Sequence, residues 1–493
     1  MKIKCRWMIV LAVLAYLPVS LMASPADLTE SMKQSLVYLE ISSSKYDLYQ
    51  PWKQSPVSNE SGFGCAVGPY EVLTTAENVM DATFLKTKIY GQNAFISATV
   101  KAVDYEYNLC LLELDKNELK QPLKPIKFTE TFPKKESLQT YWLSSAGHLT
   151  TARSSLDRAQ MVNSDVSFAK NLTFITSNTS RPFGDGEVCC YGKKVIGVAC
   201  WGRDSDSGII PAESINRFIS QFKEGGYKGF GSVGFEVYTL LDPTMRRYLQ
   251  FPDDVENGVY VSAVYAIGTG SQELKPGDVI LSIDGNALDA YGRYNHPIYD
   301  RISFEDLILS SPVGGMIKFN IFRDGKPLLL EIESRAIKSD KMLVPYYSCG
   351  EQPEYVVIGG FVFQAMTRDY LKIWGSDWSG KVPSHLYHYY RDLACKPTID
   401  RQDVIVLSYV LPIPLNQGYQ QLTRIVVDTL NGKKVSSISE FMSILNASDD
   451  RDFYEITFEM DSPAVIIPKS QLEAANMQVA QIYGVQKMSN LNQ

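Results

Sequence analysis

Short runs of strand-forming residues, separated by Gly, Pro, Asn and Asp, fill the chain from about residue 35 to residue 220. Residues 64–67, 71–74, 97–103 and 194–199 are examples of such runs. Many short strands at regular spacing are typical of a β-barrel or a β-sandwich. A helical pattern from Ala212 to Phe222 then closes this part of the chain.

Two further units follow a linker that is rich in glycine between residues 225 and 231. In the first, residues 228–336, a strand-like run ends in an Asp-Gly pair at 284–285, which is typical of a hairpin turn. The second, residues 340–470, is a weak repeat of the first, which indicates a shared architecture. We therefore predict domains at 24–222, 228–336 and 340–470, with an aromatic-rich insertion near 364–400 and a C-terminal tail at 471–493.

The first 23 residues have the layout of a secretory signal peptide. Lys2, Lys4 and Arg6 precede an apolar stretch from Met8 to Leu21, and Ala23 offers a small residue for cleavage. An uncleaved membrane anchor is the alternative, although the apolar stretch is short for a membrane span. The pattern predicts an exported protein of the periplasm or cell envelope.

The chain is acidic, with 48 Lys and Arg residues against 55 Asp and Glu residues in 493. Removal of the predicted signal peptide takes away three basic residues and no acidic ones, so the mature chain is more acidic still. Proteins that bind nucleic acids usually carry a basic surplus. We therefore expect no nucleic-acid partner.

The cysteine and histidine patterns predict neither a disulfide framework nor a metal site. Seven cysteines follow the signal peptide, too few for a disulfide scaffold in a chain of this length. Five lie in apolar strand-like runs and are expected to be small buried side chains: Cys65, Cys110, Cys189, Cys190 and Cys200. His385 and His388 have a spacing that could bind metal, but a surface or packing role is favoured. The sequence predicts no metal and no cofactor.

Four segments, in this order, resemble the Deg/HtrA serine proteases. Residues 73–79 resemble the element that presents the catalytic His, and residues 103–112 resemble the loop and strand that hold the catalytic Asp. Residues 183–188, followed by 192–198, are similar to the Gly-Asn-Ser-Gly-Gly nucleophile loop and its next strand. The resemblance spans nearly the whole mature chain. It implies a mainly β fold, in which a trypsin-like double β-barrel precedes two PDZ-like α+β domains.

The three catalytic positions of that family are all replaced in this chain. The His position falls on Glu77, the Asp position on Asn108 and the Ser position on Asp185. A Ser-His-Asp protease needs a hydroxyl nucleophile, an imidazole that takes its proton, and a carboxylate that orients the imidazole. We therefore expect no catalytic residue. Two acids could instead share a proton or chelate a cation, but polar residues in an open cleft are the favoured interpretation.

The nucleophile loop departs from the family pattern around Asp185 as well. Its oxyanion-hole residues are predicted to be Phe183, Gly184 and Gly186, and Phe183 replaces the glycine whose amide helps to form the hole. The loss of this glycine puts the oxyanion hole in doubt. A complete triad loss costs about 10⁶ in turnover.

The resemblance also implies two peptide-binding loops, because a PDZ domain adds an extended peptide to a sheet edge and holds its terminal carboxylate with backbone N–H groups. In the first unit the corresponding residues are Val233, Gly234 and Phe235. In the second they are Ile358, Gly359, Gly360 and Phe361. Peptide binding is favoured for the first unit. A scaffold role is favoured for the second, on the expectation that its insertion covers the groove.

Together these patterns predict an exported HtrA-like pseudoprotease that acts as a peptide-binding or chaperone-like scaffold. Its expected partners are polypeptides or protein C-termini. The resemblance implies a trimer-based homo-oligomer, or a mixed oligomer with an active homologue as a regulatory subunit. An active serine-type endopeptidase of protein quality control is the alternative.

Overall fold

The computed structural model describes residue 30 and residues 32–178, 181–252, 257–448 and 450–491. The predicted signal peptide, residues 1–23, lies outside the described residues. Among those described, no helix combines the length and the apolar character that crossing a bilayer would require.

Two closed antiparallel barrels of six strands each form the N-terminal part, as the sequence predicted. In barrel 1 the strand order is β1-β2-β3-β6-β5-β4. Its strands are β1 (Leu36–Ser43), β2 (Ser58–Ala66), β3 (Glu71–Thr74), β4 (Ala82–Ile89), β5 (Ile96–Asp104) and β6 (Leu109–Leu114). Barrel 2 has the order β10-β11-β12-β9-β8-β7. Its strands are β7 (Ser137–Leu143), β8 (Leu149–Asn163), β9 (Lys170–Asn178), β10 (Val188–Tyr191), β11 (Lys194–Arg203) and β12 (Asp206–Pro211).

Apolar residues that alternate along the strands fill the interior of the barrel, as β1 shows. On β1, Val37, Leu39 and Ile41 point into the core of barrel 1 and are at most 3% exposed, whereas the residues between them are partly exposed. Glycine lets β2 approach β3, since a Cβ on Gly64 would lie 2.7 Å from the Leu73 carbonyl oxygen. Helix α1 (Ala212–Lys223) follows barrel 2 and buries Ile215 and Phe218.

The second unit is a six-stranded sheet with a separate hairpin. Five of its strands have the order β13-β14-β15-β19-β20, and β16 pairs with β15. The predicted Asp284-Gly285 turn is present, with positive φ at both residues between paired Ile283 and Asn286. The strands are β13 (Phe235–Thr239), β14 (Val259–Val264), β15 (Val279–Ile283), β16 (Asn286–Ala287), β17 (Arg293–His296), β18 (Asp300–Ser303), β19 (Met316–Arg323) and β20 (Lys326–Glu333). The helices are α2 (Pro243–Tyr248) and α3 (Glu305–Ser310).

The third unit is an eight-stranded sheet in which β21 lies between β22 and β28. Its strands are β21 (Tyr355–Ile358), β22 (Phe361–Ala365), β23 (Ile405–Val410), β24 (Ile425–Leu430), β25 (Lys433–Lys434), β26 (Phe453–Phe458), β27 (Val465–Pro468) and β28 (Ser489–Asn490). Its helices are α4 (Arg368–Leu371), α5 (Trp378–Lys381), α6 (Ser384–Asp392), α7 (Ile438–Asn446) and α8 (Lys469–Tyr483). The predicted insertion near 364–400 contains α4, α5 and α6.

The third unit continues beyond residue 470, so the description of residues 471–493 as a tail was wrong. Helix α8 buries Ala475 and Val479, four residues apart on one face, in a cluster with Tyr355 and Val357 of β21. Strand β28 then pairs with β21. The final segment therefore completes the sheet.

The second unit is fixed to barrel 2 by the hairpin of β17 and β18. Tyr299, which connects these strands, is 4% exposed. Its ring lies 5.4 Å from Phe132 and 5.6 Å from Phe174, measured between centroids. Its hydroxyl donates a hydrogen bond to Glu213 Oε2 of α1 at 2.8 Å. One hydrophobic cluster consequently runs from barrel 2 into the second unit.

Replacing this anchor is expected to loosen the junction between barrel 2 and the second unit. Tyr299→Ala removes a buried ring and should lower the free energy of unfolding by about 3–5 kcal/mol. Tyr291→Ala is the control, because Tyr291 is 60% exposed near the same hairpin, and it should change stability by less than about 0.5 kcal/mol. Urea unfolding followed by tyrosine and tryptophan fluorescence measures both. Equal effects of the two variants would contradict the anchor role.

Candidate functional site

Three loops bring the replaced catalytic positions together where the two barrels meet. Glu77 begins a 3₁₀ turn directly after β3, Asn108 directly precedes β6, and Asp185 lies in the loop before β10. The Glu77 backbone N–H donates to Asn108 Oδ1 at 2.9 Å. The Asn78 side-chain amide donates to the Asp185 carbonyl oxygen at 2.8 Å. One hydrogen bond thus joins the first two loops, and another joins the first loop to the third.

The two acidic side chains at this site are exposed, whereas Asn108 is 8% exposed. Partial burial raises the pKa of Glu77, and the charges of Asp165 and Asp185 raise it further. Burial also raises the pKa of Asp185, which the nearby Arg181 partly offsets. His148, the histidine of the barrel region, lies in the hairpin turn after β7 and is bonded within that turn. The cleft therefore presents carboxyl groups at the two positions that the sequence predicts to correspond to the imidazole and the hydroxyl of a hydrolase.

Both backbone N–H groups at the predicted oxyanion-hole positions donate hydrogen bonds within the protein. In a serine protease these are the N–H groups of the nucleophile and of the residue two positions earlier. Here the Phe183 N–H donates to Ser207 Oγ at 2.9 Å. The Asp185 N–H donates to Glu187 Oε2 at 2.7 Å. One of these amides is therefore bonded to a side chain of the same loop, Glu187, and the other to Ser207 of β12.

Glu187 is a buried carboxyl group that the sequence reasoning missed. It is 0% exposed, and its Oε1 atom has no hydrogen-bond partner among the described residues. The guanidinium of Arg181 lies 3.8 Å from that oxygen. Burial raises the pKa of Glu187 to about 7. The available signal was a Glu at the last position of the Gly-Asn-Ser-Gly-Gly pattern, where the family has glycine.

The nucleophile loop is packed directly onto β11. A Cβ on Gly184 would overlap the backbone of Trp201, and a Cβ on Gly202 would lie 2.9 Å from the Phe183 nitrogen. Phe183 itself is 2% exposed and belongs to the core of barrel 2. Gly186 has a φ of 99°, which a residue with a side chain rarely adopts. Of the predicted oxyanion-hole residues, Phe183 is therefore a core residue, and the two glycines permit close backbone approach.

The predicted peptide-binding loop of the second unit lies at an open sheet edge, but its glycine amide is occupied. The Gly234 N–H donates to the Thr269 carbonyl at 2.9 Å, and the Gly234 carbonyl accepts from Tyr265. This amide cannot hold a carboxylate, which corrects that part of the prediction. Val233 forms a bridge to Thr269, and Phe235 begins β13, which pairs only with β14 among the described strands. No described strand pairs with the other side of β13.

The corresponding stretch of the third unit has a different structure. Gly359 and Gly360 form a two-residue hairpin turn with φ values of 57° and 85°, closed by the pair Ile358 and Phe361. The Gly359 N–H donates to Asn476 Oδ1 at 2.9 Å. Strand β22 has β21 on one side and β23 on the other, so it has no free edge. The peptide-binding role of these four residues stays a prediction, and β21, not the insertion, occupies the edge of β22 that a peptide would need.

The cysteine and histidine side chains form no candidate metal centre. Within the described ranges, no three His, Cys, Asp or Glu residues are grouped so that they could hold a metal ion. His385 Nε2 lies 3.2 Å from the Arg424 carbonyl oxygen, and His388 Nδ1 lies 2.7 Å from Asp392 Oδ2. The five cysteines expected to be buried are buried and free.

Comparisons with known proteins support the same family. A profile of the PDZ domain matches residues 344–490. Two relatives come from Arabidopsis thaliana. Mitochondrial Do-like protease 12 is 24% identical over 90% of this chain and 84% of its own length. Chloroplastic Do-like protease 2 is 22% identical over 91% of this chain and 73% of its own length.

A solved structure of the HtrA-type protease AlgW, a variant with a decapeptide, has a similar fold, with a TM-score of 0.50 and 16% identity. The alignment covers 64% of this chain and 98% of AlgW. At this identity the likeness shows the fold alone. With the PDZ match and the Do-like relatives, it confirms the resemblance to Deg/HtrA proteases that the sequence predicted.

The buried Glu187 should make stability depend on pH. Its pKa is raised in the folded state, so the folded protein holds a proton that the unfolded chain loses above its ordinary pKa of about 4.5. Stability should therefore fall as the pH rises from about 4.5 to about 7. Glu187→Gln keeps an acceptor for the Asp185 N–H and carries no charge. We expect it to raise the free energy of unfolding by about 2–3 kcal/mol at pH 8 and to have little effect at pH 4.

Urea unfolding across this pH range measures the effect. Glu136→Gln is the matched control, because Glu136 is exposed in the same barrel, and its pH profile should follow that of the wild type. If Glu187→Gln has the same pH profile as the wild type, Glu187 is not the group that titrates.

Proposed function

We propose that this chain, a relative of the Deg/HtrA serine proteases, binds polypeptides outside the cytosol and does not hydrolyse them. The observation that carries the proposal is the engagement of both oxyanion donors, the N–H of Phe183 with Ser207 and the N–H of Asp185 with Glu187. Free donors that point at the developing oxyanion are usually the largest single contribution to acyl-transfer catalysis.

The side chains at the three catalytic positions also oppose hydrolysis. Asp185 has no hydroxyl that could attack a carbonyl, and its carboxylate would repel a tetrahedral oxyanion. Glu77 cannot carry a proton as an imidazole does near neutral pH. Asn108 already accepts the Glu77 backbone N–H. Without triad and oxyanion hole, neither source of the family's rate enhancement remains.

Polypeptide binding is supported by the open edge of β13 in the second unit. An extended peptide can add to such an edge through backbone hydrogen bonds, while its side chains meet the surface on alternate sides. Tyr238 is 61% exposed on this strand and stacks on Tyr260 of β14 at 6.1 Å. The decapeptide in the AlgW structure supports the same activity for this fold.

The location and the assembly complete the proposal. Export by the predicted signal peptide to the periplasm or cell envelope agrees with relatives that are named for mitochondria and chloroplasts, which are also outside the cytosol. A trimer-based oligomer, alone or mixed with an active homologue as a regulatory subunit, follows from the resemblance. Co-purification from a native extract tests the mixed assembly.

An active endopeptidase is the second candidate, because the relatives are named as proteases. Purified mature protein is expected to release no peptides from casein above the background of the buffer. A fluorophosphonate probe, which labels activated serines, should not react with it. Casein cleavage that is lost in the Asp185→Ala variant would overturn the proposal.

Restoring the triad side chains alone should not restore hydrolysis. The variant Glu77→His, Asn108→Asp, Asp185→Ser regains the three groups, but Glu187 still accepts the N–H of residue 185, and Ser207 still accepts that of Phe183. We expect it to remain inactive towards casein and the probe. A triple variant that is as active as a Deg protease would contradict the importance of the engaged amides.

Peptide binding should depend on β13. Peptides selected from a library by the full-length protein provide the probes for fluorescence anisotropy. Tyr238→Ala removes the exposed ring at the open edge and should weaken binding about tenfold, which corresponds to about 1.4 kcal/mol. Tyr248→Ala is the control, because Tyr248 is 80% exposed on α2, and it should leave the affinity unchanged. Equal affinities of both variants would place the site elsewhere.

A further inference from the structure

The third unit packs against the two loops of barrel 1 that carry the first two replaced catalytic positions. Tyr347, in the segment that leads into the third unit, lies 4.8 Å from Tyr105 between ring centroids. A Cβ on Gly350 of the same segment would lie 3.1 Å from the Met80 carbonyl oxygen. A cavity of about 620 Å³ lies between this segment, barrel 1 and the linker to the second unit. The loops of the cleft therefore form part of an interdomain junction.

Glu106 lies at the centre of this junction and has a partly unsatisfied carboxyl group. Its Oε1 atom accepts a hydrogen bond from the Tyr347 hydroxyl at 2.6 Å. Its Oε2 atom is buried and has no hydrogen-bond partner in the described part of the chain. The neighbouring acid Asp104 is 7% exposed and accepts from the hydroxyl of Tyr227, a residue of the linker. A buried acid, Asp104, and a half-buried one, Glu106, thus lie two residues apart where three parts of the chain meet.

We propose that Glu106 is a proton-dependent latch: with a proton on its carboxyl group it holds residues 345–353 against barrel 1, and without that proton the contact opens. A neutral carboxyl group is stable at this site, because it carries no charge that a nearby cation would have to balance. An ionised one would leave a buried charge on an oxygen without a hydrogen bond, which is costly in a protein interior. The proposal does not depend on whether the cleft cuts its ligands.

The surrounding groups give the direction of the pH response. Burial raises the pKa of Glu106 to about 8, the Tyr347 hydroxyl partly offsets the shift, the charge of Asp104 adds to it, and Ser167 opposes it. The charge of Glu106 also raises the pKa of Tyr227 on the linker and of Cys395 at the end of the insertion, so both groups are close enough to interact with it. The lysines that line the cavity are Lys228 and Lys338. A raised pKa in the closed state means that closure is strongest at low pH and weakens as the pH rises from the ordinary value of 4.5 to about 8.

Opening of this junction would affect the candidate site, because the junction contacts lie close in sequence to two of the site residues. Glu106 lies two residues before Asn108, and Met80 lies three residues after Glu77. Release of residues 345–353 would therefore free two loops that form the barrel 1 side of the cleft. We expect access to the cleft to increase as the pH rises from 4.5 to about 8.

Cys349 is a native reporter of this opening. It lines the same cavity and is partly buried. Its alkylation by iodoacetamide, located by mass spectrometry, is to be compared between the full-length wild type and Glu106→Gln at each pH. The ratio of the two rates at a single pH removes the ordinary pH dependence of thiol reactivity. We expect the wild type to react faster than Glu106→Gln, by a factor that rises from pH 6.5 and reaches at least ten at pH 9.

Glu351→Gln is the matched control, because Glu351 lines the same cavity but is exposed, and it should behave as the wild type. Equal Cys349 rates for wild type and Glu106→Gln at pH 9 would overturn the latch. Small-angle X-ray scattering of the wild type at both pH values gives a test without substitutions. An unchanged radius of gyration, together with an unchanged scattering profile, would overturn it as well.

Discussion

The hydrogen bond between the Asp185 N–H and the Glu187 carboxyl group determines what the candidate site can do. It turns an amide of the nucleophile loop inward at the position where a hydrolase would stabilise an oxyanion. The same loop lies on β11 so closely that Gly184 and Gly202 leave no room for a Cβ. The substitutions at the three predicted catalytic positions change only the reactive side-chain groups and leave the backbone N–H donors in place. The closed loop also removes the backbone donors, and it does so through contacts that involve none of those three side chains.

The fold was largely predictable because its signals are local. Alternation along runs such as β1 predicts barrel strands, and the Asp284-Gly285 pair predicts its hairpin turn. The end of the third unit was not predictable, because Ala475 and Val479 pack against residues of β21, which lie more than a hundred positions earlier in the sequence. A pattern that repeats every four residues indicates a helix, but it does not say against which strand that helix packs.

The candidate site was predictable to the same extent. Short motifs placed Glu77, Asn108 and Asp185 in three loops, and these loops do meet. Glu187 and the Ser207 contact were missed, because whether an amide is free depends on a side chain that folding brings to it. The two glycine-containing loops of the PDZ-like units illustrate the same limit. Similar residues form an open edge in one unit and a closed hairpin in the other.

Two acids near the cleft, the buried Glu187 and the half-buried Glu106, share one physical property. Each has one carboxyl oxygen that accepts a hydrogen bond and a second that is buried without one. Burial raises the pKa of both into the range from about 7 to about 8. A neutral carboxyl group satisfies such a site better than an ionised one, so both loops are bound most firmly below these values.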